Sequence, residues 1–294
     1  MQALTIEAAA KINWTLDITG TDARGYHLLD TIMQKIALFD TVHIKKTDGG
    51  IRLACSSSDI PTDERNTAYQ AAQKFLEQTA LSCGCEIYIE KRIPCGAGLG
   101  GGSADAAAVL LGLNCLFGGP LSQRQLEVSA AAVGADVPFL LRDGAARAKG
   151  IGEKLTPLEE IPEQVLLCAM QPKRPAPTAL VYRRYDALGG IKRPDNEGFL
   201  HALKRGDQRA LLHFGGNVLQ KAAQEVSGTI DGLLQKMKDS GALFYSMTGS
   251  GSAVFGVFET LSEARRAESN FDGLWHCVCS TVNGKMQIKQ GEEK

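Results

Sequence analysis

The stretch Lys11–Ile18, KINWTLDI, alternates residue by residue: Lys11, Asn13, Thr15 and Asp17 take one face, and Ile12, Trp14, Leu16 and Ile18 the other. A period of two predicts a strand with one polar and one apolar side. LLDTIMQKIALF and DTVHIKK, rich in β-branched residues, predict two further strands, so the first 65 residues read as sheet. NTAYQAAQKFLEQTA predicts a helix capped by Asn66, and CEIYIEKRI a strand after it. A helix follows from about Ser103 to Phe117, apolar on nearly every side and therefore expected deep in the fold. LSQRQLEVSAAAV predicts another, capped by Ser122 and stopped at Gly134.

TPLEEIP, Thr156 to Pro162, breaks the periodic pattern, and two domains are expected, residues 1–155 and 156–294. Beyond the break a strand, QVLLCAM, leads through the proline-rich QPKRPAPT into a helix starting near Thr178. Polar helical segments continue to about Ser240. Strands LFYSM and AVFGVF then flank TGSG, followed by a helix from Ser262 and a strand LWHCVCSTV. This mixture predicts an α+β protein whose second half is an α/β sandwich.

Composition narrows the function classes. With 32 basic and 33 acidic residues the net charge is −1, so nothing favours nucleic acid or an anionic membrane surface, although a local patch still suits a small anionic substrate. The uncharged run after Asp105 contains Asn114, Gly118, Gly119 and Pro120 and is not expected to span a membrane. MQALTIEAAAKINW has no basic segment before an apolar run, so no signal peptide is expected. Cys83/Cys85 and Cys277/Cys279 form C-x-C pairs rather than C-x-x-C, and Cys115 and Cys168 have apolar neighbours in sequence. Packing rather than metal binding is expected of them, with reduced thiols in a cytoplasmic protein.

The densest chemistry lies in PCGAGLGGGSADAA, where five glycines fall between Gly96 and Gly102, just before the buried helix. A glycine-rich turn entering a helix N-terminus presents successive backbone N–H groups to an anion. A flexible strand-to-helix turn is the plainer alternative. GAGLGG matches the dinucleotide pattern G-x-G-x-x-G, but no acidic residue stands between Asp105 and Glu127 to bind a ribose, and two consecutive helices follow. No Gly-Lys-Ser/Thr is present for a Walker loop, and GGSAD lacks the closing glycine of a hydrolase elbow.

The loop resembles the phosphate loop of the GHMP kinases, P-x-x-x-G-L-G-S/G-S/G-S/A-A, which Pro94, Gly98, Leu99, Gly100 and Ser103 match. The N-terminal strand with its polar face and the later glycine loop SMTGSGSAVF are also similar to features of that superfamily. AKINWTLDITGTDARGYHLLDTIMQKI, GADVPFLL, AKGIGEKLTPL and APTALVY further resemble the branch that acts on a cytidine-diphosphate-linked methylerythritol, a branched tetrol of the non-mevalonate isoprenoid route. The chain departs from the usual pattern at Arg24, at Cys95, at NVLQ (Asn217 to Gln220) and at Ser252-Ala253.

The resemblance implies a two-domain GHMP kinase fold, with a ribosomal-protein-like N-terminal domain and a ferredoxin-like C-terminal α/β sandwich. It implies ATP-dependent phosphorylation of the tetrol's 2-hydroxyl, with Mg²⁺ on the ATP phosphates and no dedicated metal ligand beyond a role for Ser103. Asp136 is implied as the base and Lys11 as its partner. As read from the sequence, Asp136 follows a helix C-terminus among apolar neighbours, which would raise its pKa. For ATP the resemblance implies Asn66, Lys91, Pro94, Cys95, Gly96, Ala97, Gly98, Leu99, Gly100, Gly101, Gly102, Ser103 and Ala104. Asn66 is also simply a good helix cap. For the substrate it implies Asn13, Tyr26, His27, Thr178 and Tyr182, with the aromatic rings and the histidine reading cytosine. Tyr182 also suits a helix core, and Thr248–Gly251 either closes over the diphosphate or turns a hairpin. Monomer and homodimer both remain open.

Overall fold

The computed structural model describes residues 2–174, 176–284 and 286–290. Pro175 of the proline-rich connector and residues 291–294 of the second expected domain lie outside them. The first half begins with two long strands, β1 (Ala3–Thr21) and β2 (His27–Thr47), joined by a tight turn. The two segments predicted as separate strands are one continuous β2. Leu38, the second residue of a two-residue excess on that strand, is buried, so the irregularity is absorbed as a bulge rather than a break. Then come β3 (Ile51–Cys55), α1 (Thr67–Thr79), β4 (Gly84–Glu90), α2 (Gly101–Leu116), α3 (Gln123–Val133), α4 (Val137–Leu140), β5 (Ala145–Gly150) and β6 (Lys154–Pro157).

The second half runs β7 (Val165–Met170), α5 (Thr178–Asp186), α6 (Asn196–Lys204), α7 (Gln208–Phe214), β8 (Gly216–Asn217), α8 (Gln220–Ser227), α9 (Ile230–Asp239), β9 (Phe244–Met247), β10 (Val254–Phe258), α10 (Leu261–Ala267), β11 (Trp275–Ser280) and β12 (Ile288–Gln290). Its sheet has the order β11-β7-β10-β9, all antiparallel. Numbered along the chain this is 4-1-3-2, the split β-α-β arrangement of a ferredoxin-like sandwich. The first sheet follows β12-β1-β2-β4-β3, with β5 and β6 continuing from β2 and β8 lying parallel to β1. β6 therefore still belongs to the first sheet, and β12 returns to it beside Leu4–Ile6.

β1 is buried on both faces from Ala8 to Ile18, which explains why its polar residues are not a solvated edge. Ile12 packs in the core under α2, whereas Leu16 and Ile18 join the core of the second half with Val218 and Met247. Trp14 occupies a bulge opposite Met33 and Ile32. Its ring meets Phe199, Phe244 and Phe255, with the Phe255 centroid 5.7 Å away edge-on. One strand thus carries both cores, and its polar residues open onto the junction between the halves. α2 is buried along most of its length, as its uniform apolarity requires.

Two cysteine expectations separate here. Cys277 sits in register with Cys168, and Cys279 is buried beside them, where the Cys168 thiol and burial hold its own thiol well above the usual range against an opposing hydrogen bond with Cys277. Cys115, by contrast, is exposed: it lies on the outer side of the last turn of α2, so apolar neighbours in sequence did not mean apolar surroundings. Among the described residues no group of three or more His, Cys, Asp and Glu is placed to hold a metal.

Candidate active site

The loop after β4 reaches α2 through Gly96, Gly98 and Gly100, all in the left-handed region with φ of 65°, 81° and 75°. At two of them a side chain is excluded by contact as well. A Cβ on Gly98 would lie 2.2 Å from the Thr248 carbonyl oxygen, and one on Gly100 would lie 2.9 Å from Lys11 Cγ. α2 starts two residues earlier than predicted. Gly100 is its cap and Ser103 sits inside the first turn, so Ser103 does not cap the helix. The first-turn N–H groups of a helix have no intrahelical acceptors, and here Gly101, Gly102 and Ser103 line a cavity of about 430 Å³. Pro94, Gly96, Ala97, Gly98 and Gly100 line it as well.

Lys11 and Asp136 meet in the wall of this cavity, with Nζ 3.3 Å from Oδ2. Lys11 is 3% exposed, and its ammonium also donates to Asn13 Oδ1 at 2.9 Å. Asn13 in turn donates through Nδ2 to Thr31 Oγ1 at 2.8 Å, and its Oδ1 accepts the Gly249 N–H at 2.9 Å. The helix-end reading of Asp136 needs correction. The residue lies between two helix ends, past Gly134 at the close of α3 and directly before α4, and its side chain is 36% exposed. The sequence showed only the first of those ends because α4 is a single turn of four residues.

Asn66 and Lys91 do not line the cavity. Asn66 accepts the Ala68 N–H at 2.8 Å and donates to the Pro61 carbonyl, so both ends of its amide serve the cap and the preceding loop. Its neighbour Thr67 does reach the cavity and donates to the Gly102 carbonyl at 2.7 Å. Lys91 is buried between Asp40 and Asp105 and bonds both. Asp40 also accepts the N–H groups of Arg92 and Ile93, at 2.6 and 2.9 Å. Two carboxylates share one ammonium, which holds Lys91 up at about 12. Asp105 is the less well served of the two acids: Oδ1 has no partner among the described residues, and burial drives its carboxyl upward. This triad anchors the strand before the loop to the helix after it. Leu99 and Ala104 are buried supports of the loop, and Cys95 is exposed beside it.

At the other end of the cavity stand Thr178 and Tyr182, both on α5. Thr178 Oγ1 is 2.8 Å from Ser250 Oγ, linking α5 to the second glycine loop. Burial pushes the Tyr182 phenol up to about 12, so it stays protonated. The Tyr182 ring lies 4.8 Å from that of His27, whose Nε2 is 2.7 Å from Asp186 Oδ1. Tyr26 is 58% exposed at the β1–β2 turn, with the Arg24 guanidinium over its ring. Thr248–Gly251 joins β9 to β10 and also packs on Gly98, so the hairpin turn is itself part of the cavity wall.

Residues 66–144 match the GHMP kinases N terminal domain and residues 199–276 the GHMP kinases C terminal domain. A 4-diphosphocytidyl-2-C-methyl-D-erythritol kinase of Caldicellulosiruptor saccharolyticus is 41% identical over 99% of this chain and 100% of its own. One of Alkaliphilus metalliredigens is 39% identical over 94% of each chain. The chain belongs to the 4-diphosphocytidyl-2-C-methyl-D-erythritol kinase family, within the GHMP kinases. A crystal structure of 4-(cytidine 5'-diphospho)-2C-methyl-D-erythritol kinase superposes with a TM-score of 0.80 at 34% identity, covering 95% of this chain and all of the other.

As a member of this kinase family the chain is an ATP-dependent phosphotransferase with a two-domain α+β fold. Two polar residues of its cavity, Thr31 and Thr67, were not singled out from the sequence, nor was Asp186, which meets His27; Tyr26, His27 and Asp186 do not line the cavity. Thr31 had no sequence signal: it pairs with Leu16, which the alternation put on the apolar face, and only the bulge at Trp14 brings Leu16 and Thr31, rather than Thr15, to the face of Lys11 and Asn13. Asp186 had none. It is 159 positions from His27, and only the docking of α5 brings them together.

Proposed function

We propose that the protein transfers the γ-phosphoryl group of ATP to the 2-hydroxyl of 4-diphosphocytidyl-2-C-methyl-D-erythritol, giving the 2-phosphate and ADP. The observation that carries the reading is the Lys11–Asp136 pair, 3.3 Å apart on one wall of the cavity whose other wall is the glycine loop. The loop N–H groups and the start of α2 hold the ATP phosphates. The substrate hydroxyl oxygen forms a bond to the γ-phosphorus as the bond to the β-phosphate oxygen breaks. ADP leaves with that electron pair, and Asp136 takes the hydroxyl proton. The Lys11 ammonium, fixed by Asn13, orients Asp136 and offsets charge on the transferring group. Mg²⁺ would neutralise the phosphate oxygens, and the Ser103 hydroxyl, lining the cavity at the helix start, is the protein oxygen suited to it.

Base recognition follows from the His27–Asp186 contact. A neutral imidazole that donates from Nε2 to the carboxylate leaves Nδ1 as an acceptor, matched to the exocyclic amine of cytosine. Tyr182 offers a ring face beside it, and Tyr26, exposed on the turn, supplies the second face when it folds over the base. The eight free cysteines support a cytoplasmic address.

The deciding experiment measures ADP release with ATP–Mg²⁺ and the cytidylated tetrol, beside mevalonate and homoserine and an Asp136→Asn variant. Turnover confined to the tetrol and lost in the variant supports the reading. Turnover with a control substrate alone would overturn the cytidine assignment and leave the kinase chemistry standing.

A further inference from the structure

A second cavity, about 310 Å³, lies where the segment after β11 crosses back to the first sheet, and it shares no lining residue with the active-site cavity. Lys35 lines it. This lysine is 1% exposed, and its ammonium has no hydrogen-bond or ion-pair partner among the described residues. Its backbone carbonyl accepts the Val282 N–H at 3.0 Å, which fixes the strand position from which the side chain enters the space. A buried ammonium without a hydrogen-bonded or ion-paired partner is costly, and a cavity rather than packed apolar atoms lies beside this one. The volume falls at the small end of ordinary ligand sites.

The other lining groups define what fits. Phe39 and Met286 supply apolar surface, and Thr281 and Asn283 supply polar atoms. Glu7 lines the cavity but is engaged by Lys289 at 3.2 Å, and Glu163 stands exposed at the rim. Asp143 acts on Lys35 only through its charge. With Glu7 paired to Lys289 and Glu163 exposed to solvent, the Lys35 ammonium is the unpaired charge facing the space among the described residues, which suits one negative charge, whereas a phosphate dianion would lack the cluster of N–H donors it needs. We propose that this cavity is a binding site for a small monocarboxylate, with its charge on the Lys35 ammonium and its apolar body against Phe39 and Met286.

The test uses hexanoate as the probe, titrated into the full-length protein with ¹³C-labelled lysine ε-carbons. Saturable binding is expected, with the Lys35 resonance moving and its titration midpoint rising by about one pH unit or more as the carboxylate pairs with it. Lys35→Met should abolish the saturation while remaining folded by thermal melt, and Lys11→Met should bind as the unaltered protein does. Met286→Glu, which keeps the lysine and supplies an internal carboxylate, should block hexanoate and raise the Lys35 midpoint by itself. An unmoved Lys35 resonance, equal binding by Lys35→Met, or displacement of hexanoate from Lys35 by inorganic phosphate at lower concentration would overturn the proposal.

Discussion

The backbone N–H of Asn13 donates to Thr248 Oγ1 at 3.2 Å, and the Thr248 hydroxyl lies between Asn13 Oδ1 at 3.2 Å and the Gly98 carbonyl at 3.3 Å. Two residues 235 positions apart thereby tie the strand that carries Lys11, the glycine loop before α2 and the second glycine loop into one joint. Asn13 Oδ1 accepts from Lys11, Thr248 and Gly249, so the same joint sets the position of the Lys11 ammonium.

Thr248→Val keeps the shape and removes the hydroxyl, leaving the buried Asn13 N–H without an acceptor. A loss of about 1–3 kcal/mol in stability is expected from that unmet donor. Urea unfolding checks it, and an unchanged midpoint would show that the hydroxyl is not needed to hold the joint.

Asp136→Asn should lower kcat by roughly 10²–10⁴-fold, the range ordinarily supplied by a general base, with the KM for ATP shifting little. Steady-state kinetics at saturating substrate test this. A kcat within about threefold of the unaltered enzyme would remove Asp136 from the proton transfer.

Gly98→Ala introduces a Cβ 2.2 Å from the Thr248 carbonyl, at a φ of 81°. The strain of a non-glycine residue in a sparsely populated region is about 1–3 kcal/mol, and the backbone contact adds to it. Displacement of the loop should raise the KM for ATP by about tenfold or more, since 1.4 kcal/mol corresponds to tenfold in affinity. Nucleotide titration against the variant decides.

Asp186→Asn and His27→Phe should raise the KM for the cytidylated substrate by roughly 10–100-fold while leaving that for ATP unchanged, because both alter the hydrogen bond that sets the proposed reader of the base. Equal effects on both KM values would point to a general disturbance at the junction of α5 and the β1–β2 turn.

Burial lowers the Lys35 amine to about 8 from its ordinary 10.5. The unfolded chain therefore holds more protons than the folded one between these values, and stability rises with pH across that window. Below about pH 8 the full cost is present, roughly 3 kcal/mol for a shift of this size. Lys35→Met should thus be more stable than the unaltered protein at pH 7, with the advantage fading between pH 8 and 10.5. Denaturation at pH 7 and pH 10 compares the two.

Much of this protein is legible in its residues taken in order. Alternation in KINWTLDI marks β1, although the bulge at Trp14 reverses its faces, uniform apolarity marks the buried α2, and a glycine cluster before a helix marks the loop that lines the cavity, because each signal is local and each has a direct backbone cause. The polar face of β1 also pointed at Lys11 and Asn13 together, and they are bonded. The partnerships were decided elsewhere. Whether Lys91 stands in the cavity wall or between Asp40 and Asp105, whether Asp136 follows one helix or precedes another, and whether His27 has a carboxylate behind it all depend on elements brought together by folding. So does the setting of Lys35, which in sequence is one more residue of a strand. Its burial beside a cavity arises where the chain after β11 packs against its strand. Local pattern reports what a backbone segment prefers, whereas the charge a side chain faces is set by its neighbours in space, and those come from the whole chain.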